Sequence, residues 1–182
     1  NQDGGIQYVT GLAFNESMSD ILVDFEGNYW MTSYRKGLLF LGRSKFQNAT
    51  LKYGMNESIV NCVTEYQGRL YVGTDDGLDI INADGTLDRE SDLVTMLSGK
   101  SIRDFCVDSR NNLWICSYRL YGVIKVNPRG KYKVYNKSEA LLTSNAVNCI
   151  IELKDGSMAV GTENGITILS NGKVAASYGR FS

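Results

Sequence analysis

The 182-residue sequence contains no histidine. That absence removes the commonest general base, the Ser–His and Cys–His nucleophile pairs, and imidazole metal ligands. Proline occurs once, at Pro128, so the turns must be made with Gly, Asn and Asp. Neither sign of charge dominates. With 19 Lys and Arg against 20 Asp and Glu, the net charge of -1 offers no footprint for nucleic acid or an anionic membrane surface. No apolar run approaches the length that crosses a bilayer, and no membrane insertion of this segment is expected. The chain starts at Asn1 without a basic-then-apolar leader, and is expected to be a processed or excised portion of something longer.

Cysteine is sparse too: Cys62, Cys106, Cys116 and Cys149 form no C-x-x-C. Without histidine, a zinc site would need all four to converge. Each lies in a strand-like run and reads as a small buried hydrophobe, with disulfide or metal roles as lesser alternatives. No metal or cofactor is expected. What the chain does have is 43% hydrophobic residues, 11 Tyr and 19 Gly, a mixture suited to short strands joined by tight turns.

One segment recurs. Residues 21–33 align without gaps with copies at 62–74, 105–117 and 150–162. One column holds Ile21, Cys62, Phe105 and Ile150. A turn column reads Gly27, Gly68, Asn111 and Gly156, residue types that tolerate positive φ in a hairpin. Next come Tyr29, Leu70, Leu113 and Met158, then Trp30, Tyr71, Trp114 and Ala159. Small residues follow, and a second glycine (Gly37, Gly77, Gly122, Gly165) leads into another apolar strand. A repeat of forty-odd residues with several short strands and no helical spacing is the pattern of β-propeller blades.

The expected fold is therefore an all-β propeller segment of four four-stranded blades: 15–55, 56–98, 99–143 and 144–182. Residues 1–14 would carry the outer strand of a preceding blade, near 6–9. The outer strands are expected at 46–51, near Leu87, at 132–135 and at 174–178. Longer polar connections join the blades, with a helical turn expected at 91–97. Propellers span four to eight blades, so these four are expected to be part of a larger ring whose terminal faces self-associate.

Through these residues the chain resembles the two-component regulator propeller repeat. Gly27-Asn28-Tyr29-Trp30-Met31-Thr32-Ser33 with Gly37-Leu38 matches the family pattern. So does Asn111-Asn112-Leu113-Trp114-Ile115-Cys116-Ser117 with Gly122-Val123. Asp24 and Asp108 supply the acidic residue before the turn; Glu65 is a near match and Leu153 departs. The fourth copy also has Ala159 in the Trp position. The resemblance implies a ring of about seven blades that forms the extracytoplasmic sensor region of a membrane-anchored bacterial signalling protein. Its output would be a histidine kinase or a diguanylate cyclase, and its ligand a glycan fragment. In such a bacterial protein, the N-x-S/T sequons at Asn15, Asn48, Asn56 and Asn136 are chance matches.

The turns between second and third strands share a face with the long connections, and two of them carry Tyr-Arg: Tyr34-Arg35-Lys36 and Tyr118-Arg119-Leu120-Tyr121. Tyr offers stacking plus a hydroxyl, and Arg a fork for carboxylate or sulfate. Tyr34, Arg35, Tyr118, Arg119 and Tyr121 are thus the candidate ligand-binding residues, for a small molecule or oligosaccharide. The plainer reading is that these aromatics pack on neighbouring loops while the charges stay solvated. Asp20, Asn61 and Asp104 share a column at the start of the inner strands and read as ordinary turn polarity, or as a ring at the channel mouth. Trp30 and Trp114 read as packing between blades, and Asp75-Asp76 as solvated. No catalytic group is expected. A rigid interaction scaffold and a propeller enzyme are the rival classes, the latter weakened by the missing histidine.

Overall fold

The computed structural model describes residues 18–25, 27–33, 37–41 and 49–179. Residues 1–47 and 48–182 form two compact units. In the first, β1 (Met18–Val23), β2 (Tyr29–Ser33) and β3 (Gly37–Leu41) make an antiparallel three-stranded sheet, blade 1. The strand expected at 6–9 lies outside the described residues. That expected at 46–51 is only partly described, and there it is helical: α1 (Ala49–Tyr53) begins at Ala49. Ala, Leu and Lys are good helix formers, and Gly54, at φ +67°, ends the turn where Met55 N–H closes on the Thr50 carbonyl.

The second unit holds three four-stranded antiparallel sheets, each in simple sequence order. Blade 2 is β4 (Val60–Tyr66), β5 (Arg69–Thr74), β6 (Leu78–Ile81) and β7 (Leu87–Asp88). The expected helical turn follows as α2 (Asp92–Leu97), capped by the Ser91 hydroxyl, which accepts from Val94 N–H. Blade 3 is β8 (Ile102–Val107), β9 (Leu113–Ser117), β10 (Val123–Val126) and β11 (Tyr132–Tyr135). After the short α3 (Lys137–Ala140), blade 4 is β12 (Val147–Glu152), β13 (Met158–Thr162), β14 (Gly165–Ser170) and β15 (Lys173–Gly179).

Alternating side chains give each blade two faces, and in the second unit the faces between blades 2 and 3 and between blades 3 and 4 are buried. Tyr66, Tyr71, Leu78, Ile80 and Leu97 of blade 2 and its helix meet Ile102, Leu113, Ile115 and Ile124 of blade 3. On the other face, Trp114, Cys116 and Val123 meet Val147, Ile150, Met158, Val160 and Leu169 of blade 4. Strand β9 is consequently buried at every residue. Each of its large side chains adds about 1.5–3 kcal/mol of burial free energy.

The hairpins of blades 1 and 3 share an internal clamp. Asp108 accepts from the backbone N–H and side-chain amide of Asn112 and from the indole of Trp114. Asp24 does the same for Asn28 and Trp30. The expectation that Trp114 packs between blades holds, and its one polar atom is satisfied inside its own blade.

All four inner strands carry a bulge at the same place, with register shifts between Met18 and Asp20, Val60 and Cys62, Ile102 and Asp104, and Val147 and Cys149. This corrects the column of Asp20, Asn61 and Asp104. The residue after the bulge is Asp20, Cys62, Asp104 or Cys149, whereas Asn61 occupies the bulge itself. The slip arises because blade 2 turns on two residues, Gln67 and Gly68, both at positive φ, while blade 3 uses the longer loop 108–112.

The cysteines are free and differ in burial: Cys116 is buried, Cys62 and Cys106 are half-buried, and Cys149 is exposed. The burial expected of Cys149 is thus corrected. It lies on the face of blade 4 turned away from blade 3, alongside the exposed Ile151 and Ile166.

Candidate functional site

The turn from β9 to β10 is gripped by backbone on both sides. Tyr118 N–H donates to the Ser101 carbonyl at 2.9 Å, and Arg119 N–H to that of Asn145 at 3.0 Å. Tyr118 also forms a β-bridge with Ala146. The connections entering blades 3 and 4 therefore converge on this turn, as its position after the second strand leads one to expect. Arg119 sits at φ +82°, a conformation that residues with side chains seldom adopt.

Tyr118 is the hub. Its hydroxyl donates to Glu163 Oε1 in blade 4. Its ring lies 4.9 Å from the Arg103 guanidinium carbon and 5.2 Å from that of Arg119. Arg103 pairs with Asp75 of blade 2 at 3.6 Å. Asp75 Oδ1 in turn accepts from Asn61 Nδ2 and Ser101 Oγ, both at 2.9 Å. The Asn61 and Ser101 hydrogen bonds, and then the Arg103 charge, hold the Asp75 carboxyl below its usual range. A continuous polar network therefore joins blades 2, 3 and 4 along one face.

The structure distributes the candidate residues unevenly. Tyr118 and Arg119 are together, with Arg119 exposed. Tyr121 is instead half-buried against the hydrophobic layer between blades 2 and 3. Tyr34 and Arg35 lie outside the described residues. Asp75 is not merely solvated: it is the network's acceptor, while Asp76 beside it is exposed. Sequence reasoning passed over Arg103, which the structure places in the inner-strand bulge at the position equivalent to Asn61. Both extend across to the neighbouring blade, Asn61 also donating to the Ile102 carbonyl at 3.0 Å.

The family model described as two component regulator propeller matches residues 96–119. That match falls on the end of α2 and the first two strands of blade 3. The matched stretch of this propeller holds Arg103, the Asp108–Asn112–Trp114 clamp and the Tyr118-Arg119 turn. Among curated proteins no significant sequence match is found. Among solved structures, this propeller is similar to the extracellular domain of BT4673 from B. thetaiotaomicron, described as a one component system. Identity is 26% and the TM-score 0.59, covering 90% of this chain and 22% of that one. The extracellular domain of BT3049 from the same organism, described as part of a hybrid two component system, is 22% identical with a TM-score of 0.57. That match covers 95% of this chain and 24% of the other. Virginiamycin B lyase from Staphylococcus aureus shares the fold alone, at 14% identity and a TM-score of 0.50, covering 98% of this chain and 61% of the enzyme. The chain spans less than a quarter of the length of the two B. thetaiotaomicron domains.

Proposed function

We propose that this propeller segment is the ligand-sensing part of a bacterial membrane-anchored receptor of sensor histidine kinase type, working outside the cytoplasm. Its ligand is a small molecule or glycan fragment held on the turn face by Tyr118 and Arg119, with Tyr34 and Arg35 as their counterparts in blade 1. The segment itself is non-catalytic, and a diguanylate cyclase is the alternative output. The observation that carries this reading is the network Asp75–Arg103–Tyr118–Glu163, which makes one turn the meeting point of three blades. The description of BT4673 as an extracellular domain of a one component system supports the location and the signalling role.

The geometry suggests how binding is felt. A ligand carboxylate or sulfate taken by the Arg119 fork draws the guanidinium off the Tyr118 ring and frees that face for stacking. Tyr118 and Arg103 then readjust together, altering how blades 2 and 4 are held to blade 3. A thermal-shift screen with acidic and neutral oligosaccharides tests this. A stabilising ligand whose effect disappears in Tyr118→Ala and Arg119→Ala supports the reading, and the absence of any stabilising ligand sinks it.

One observation favours a second reading. Leu120 is half-exposed beside Arg119 at the tip of the same turn, a pairing that suits a protein partner. Self-association is a further proposal, through the exposed blade face bearing Ile151 and Ile166. A monodisperse monomer at high concentration in light scattering would count against it.

A further inference from the structure

At the opposite ends of the strands from the Tyr118 turn, the seam between blades 3 and 4 opens into a cleft of about 270 Å³. On blade 3, Trp114, Lys125 and Lys133 stand directly opposite one another across β9, β10 and β11. Arg110 adds a third cation to the lining, and the turn at Asn171 and Gly172 brings blade 4 to the other side.

Two features of this wall call for an anion. First, Lys125 and Lys133 are immediate cross-strand neighbours, an arrangement of like charges that disfavours a sheet. Second, the two carboxylates in the lining, Asp108 and Glu152, are occupied by the framework. Asp108 accepts from Arg110 N–H, Asn112 and Trp114, and Glu152 takes both the backbone N–H and the hydroxyl of Ser109. Lys125 comes only to 4.0 Å from Asp108 and sits 4.9 Å above the Trp114 ring, while Lys133 lies 4.9 Å above Tyr135. Three cations thus face two carboxylates that are already hydrogen-bonded, in a chain whose net charge is -1.

We propose that this cleft binds an oxyanion group (carboxylate, sulfate or phosphate) through Lys125, Lys133 and Arg110, on a molecule small enough to fit between the blades. The volume falls just below the range of about 300–1,000 Å³ typical of drug-sized pockets, which suits a small anion-bearing molecule rather than a polymer segment. Because both blades line the cleft, an occupant would clamp blade 4 to blade 3 independently of the turn face.

The test is calorimetric titration of the full chain with sodium sulfate, sodium phosphate and sodium glucuronate, at ionic strength held constant with chloride and with glucose as the uncharged control. Saturable binding is expected in the Arg119→Ala chain, where the turn face has lost its guanidinium fork, and is weakened about tenfold or more when Lys125→Met and Lys133→Met are added together. Sulfate and phosphate without glucuronate identifies a tetrahedral oxyanion; glucuronate alone identifies a sugar carboxylate. No saturable binding of any of the three overturns the proposal, as does binding that survives the double lysine variant. A second measurement needs no ligand. In low salt without oxyanions, Lys133→Met should have a urea midpoint equal to or above that of the wild type, since it removes the repulsion. A lower midpoint would refute the opposed-lysine argument.

Discussion

Trp114 and Asp108 are bound to one another across the hairpin they flank: the indole Nε1–H donates to Asp108 Oδ2 at 2.8 Å. The same bond joins Trp30 and Asp24 at 3.0 Å. Where the tryptophan is missing, so is the acid. Blade 4 has Ala159 in the indole position and Leu153 in that of the carboxylate; in blade 2, with Tyr71, the shortened hairpin corrects the near match of Glu65, which pairs with Leu70 as Val107 pairs with Leu113 and so does not occupy the place of Asp108. The two positions vary together because a buried indole N–H needs an acceptor and a buried carboxylate needs donors.

Asp108→Ala should therefore cost about 2–4 kcal/mol in urea unfolding, because it strands the indole and the Asn112 groups in a buried setting. Trp114→Phe alone should cost less through the lost bond than through lost packing. A double-mutant cycle between them should show a coupling of about 1–2 kcal/mol. Strict additivity would mean that the bond contributes nothing.

Acid should weaken the fold partly through this residue. Burial by itself would raise the Asp108 pKa, but the hydrogen bonds from Asn112 and Trp114 and the Lys125 charge outweigh it and hold the carboxyl below its usual range. A depressed folded value means stability that is present above the unfolded pKa of about 3.9 and lost as pH falls through the folded one. Asp75, Asp84 and Asp155 act in the same direction; Asp79, raised by burial, opposes them. Urea midpoints taken between about pH 6 and pH 2.5 should fall more steeply for the wild type than for Asp108→Asn. Parallel curves would assign the acid sensitivity elsewhere.

Gly73 and Gly161 should respond differently to the same substitution. A Cβ on Gly73 would lie 2.5 Å from Cys62 Sγ and 2.7 Å from Ile102 Cγ2, the latter in a fully buried side chain. On Gly161 its one close contact would be Cys149 Sγ, at 2.6 Å, in an exposed residue that can move, with the Cys149 carbonyl at an ordinary 3.8 Å. Gly73→Ala should cost about 1–3 kcal/mol and be only partly rescued by Cys62→Ala. Gly161→Ala should cost less, and Cys149→Ala should restore it fully. Equal penalties and equal rescue would remove Ile102 from the explanation.

The thiols should react in order of exposure. Cys149 is exposed, whereas Cys116 is buried with its pKa driven well above the ordinary value by burial. Burial, reinforced by the Asp104 charge, pushes Cys62 up to about 12. Counting modified thiols in the native protein with a disulfide reagent near neutral pH should give one fast group, lost in Cys149→Ser. Fast modification of Cys116 would mean that the seam between blades 3 and 4 opens readily.

The blades were legible because their signal is local: a strand, a turn with glycine or asparagine, a strand with a large apolar residue, and a second glycine. The bulge was not, since an extra residue in one strand leaves no mark until its partner strand is known. Asn61 was consequently set one place out, and its tie to Asp75 and to the Ile102 carbonyl was invisible. Tyr118 and Arg119 are legible as turn residues, because turns advertise polar side chains, but of the two only Arg119 is exposed, Tyr118 being half-buried against Arg103 and Glu163. Tyr121 in the same turn goes the other way, into the layer between blades, and nothing in four consecutive letters separates the two fates. Arg103 and Asp75 lie in different blades and meet only through the fold.

The bulge also sets a second rhythm in the chain. The residues following it face their partners on the second strand as Asp20–Thr32, Cys62–Gly73, Asp104–Cys116 and Cys149–Gly161. Blades 1 and 3 are of one kind, with an aspartate and an indole clamp; blades 2 and 4 are of another, with a cysteine over a glycine and no indole. Along these four blades the two kinds alternate. Parity then becomes a constraint on any closed ring built this way. An even number of blades carries the alternation round without interruption, whereas an odd number must set two blades of the same kind side by side at one seam.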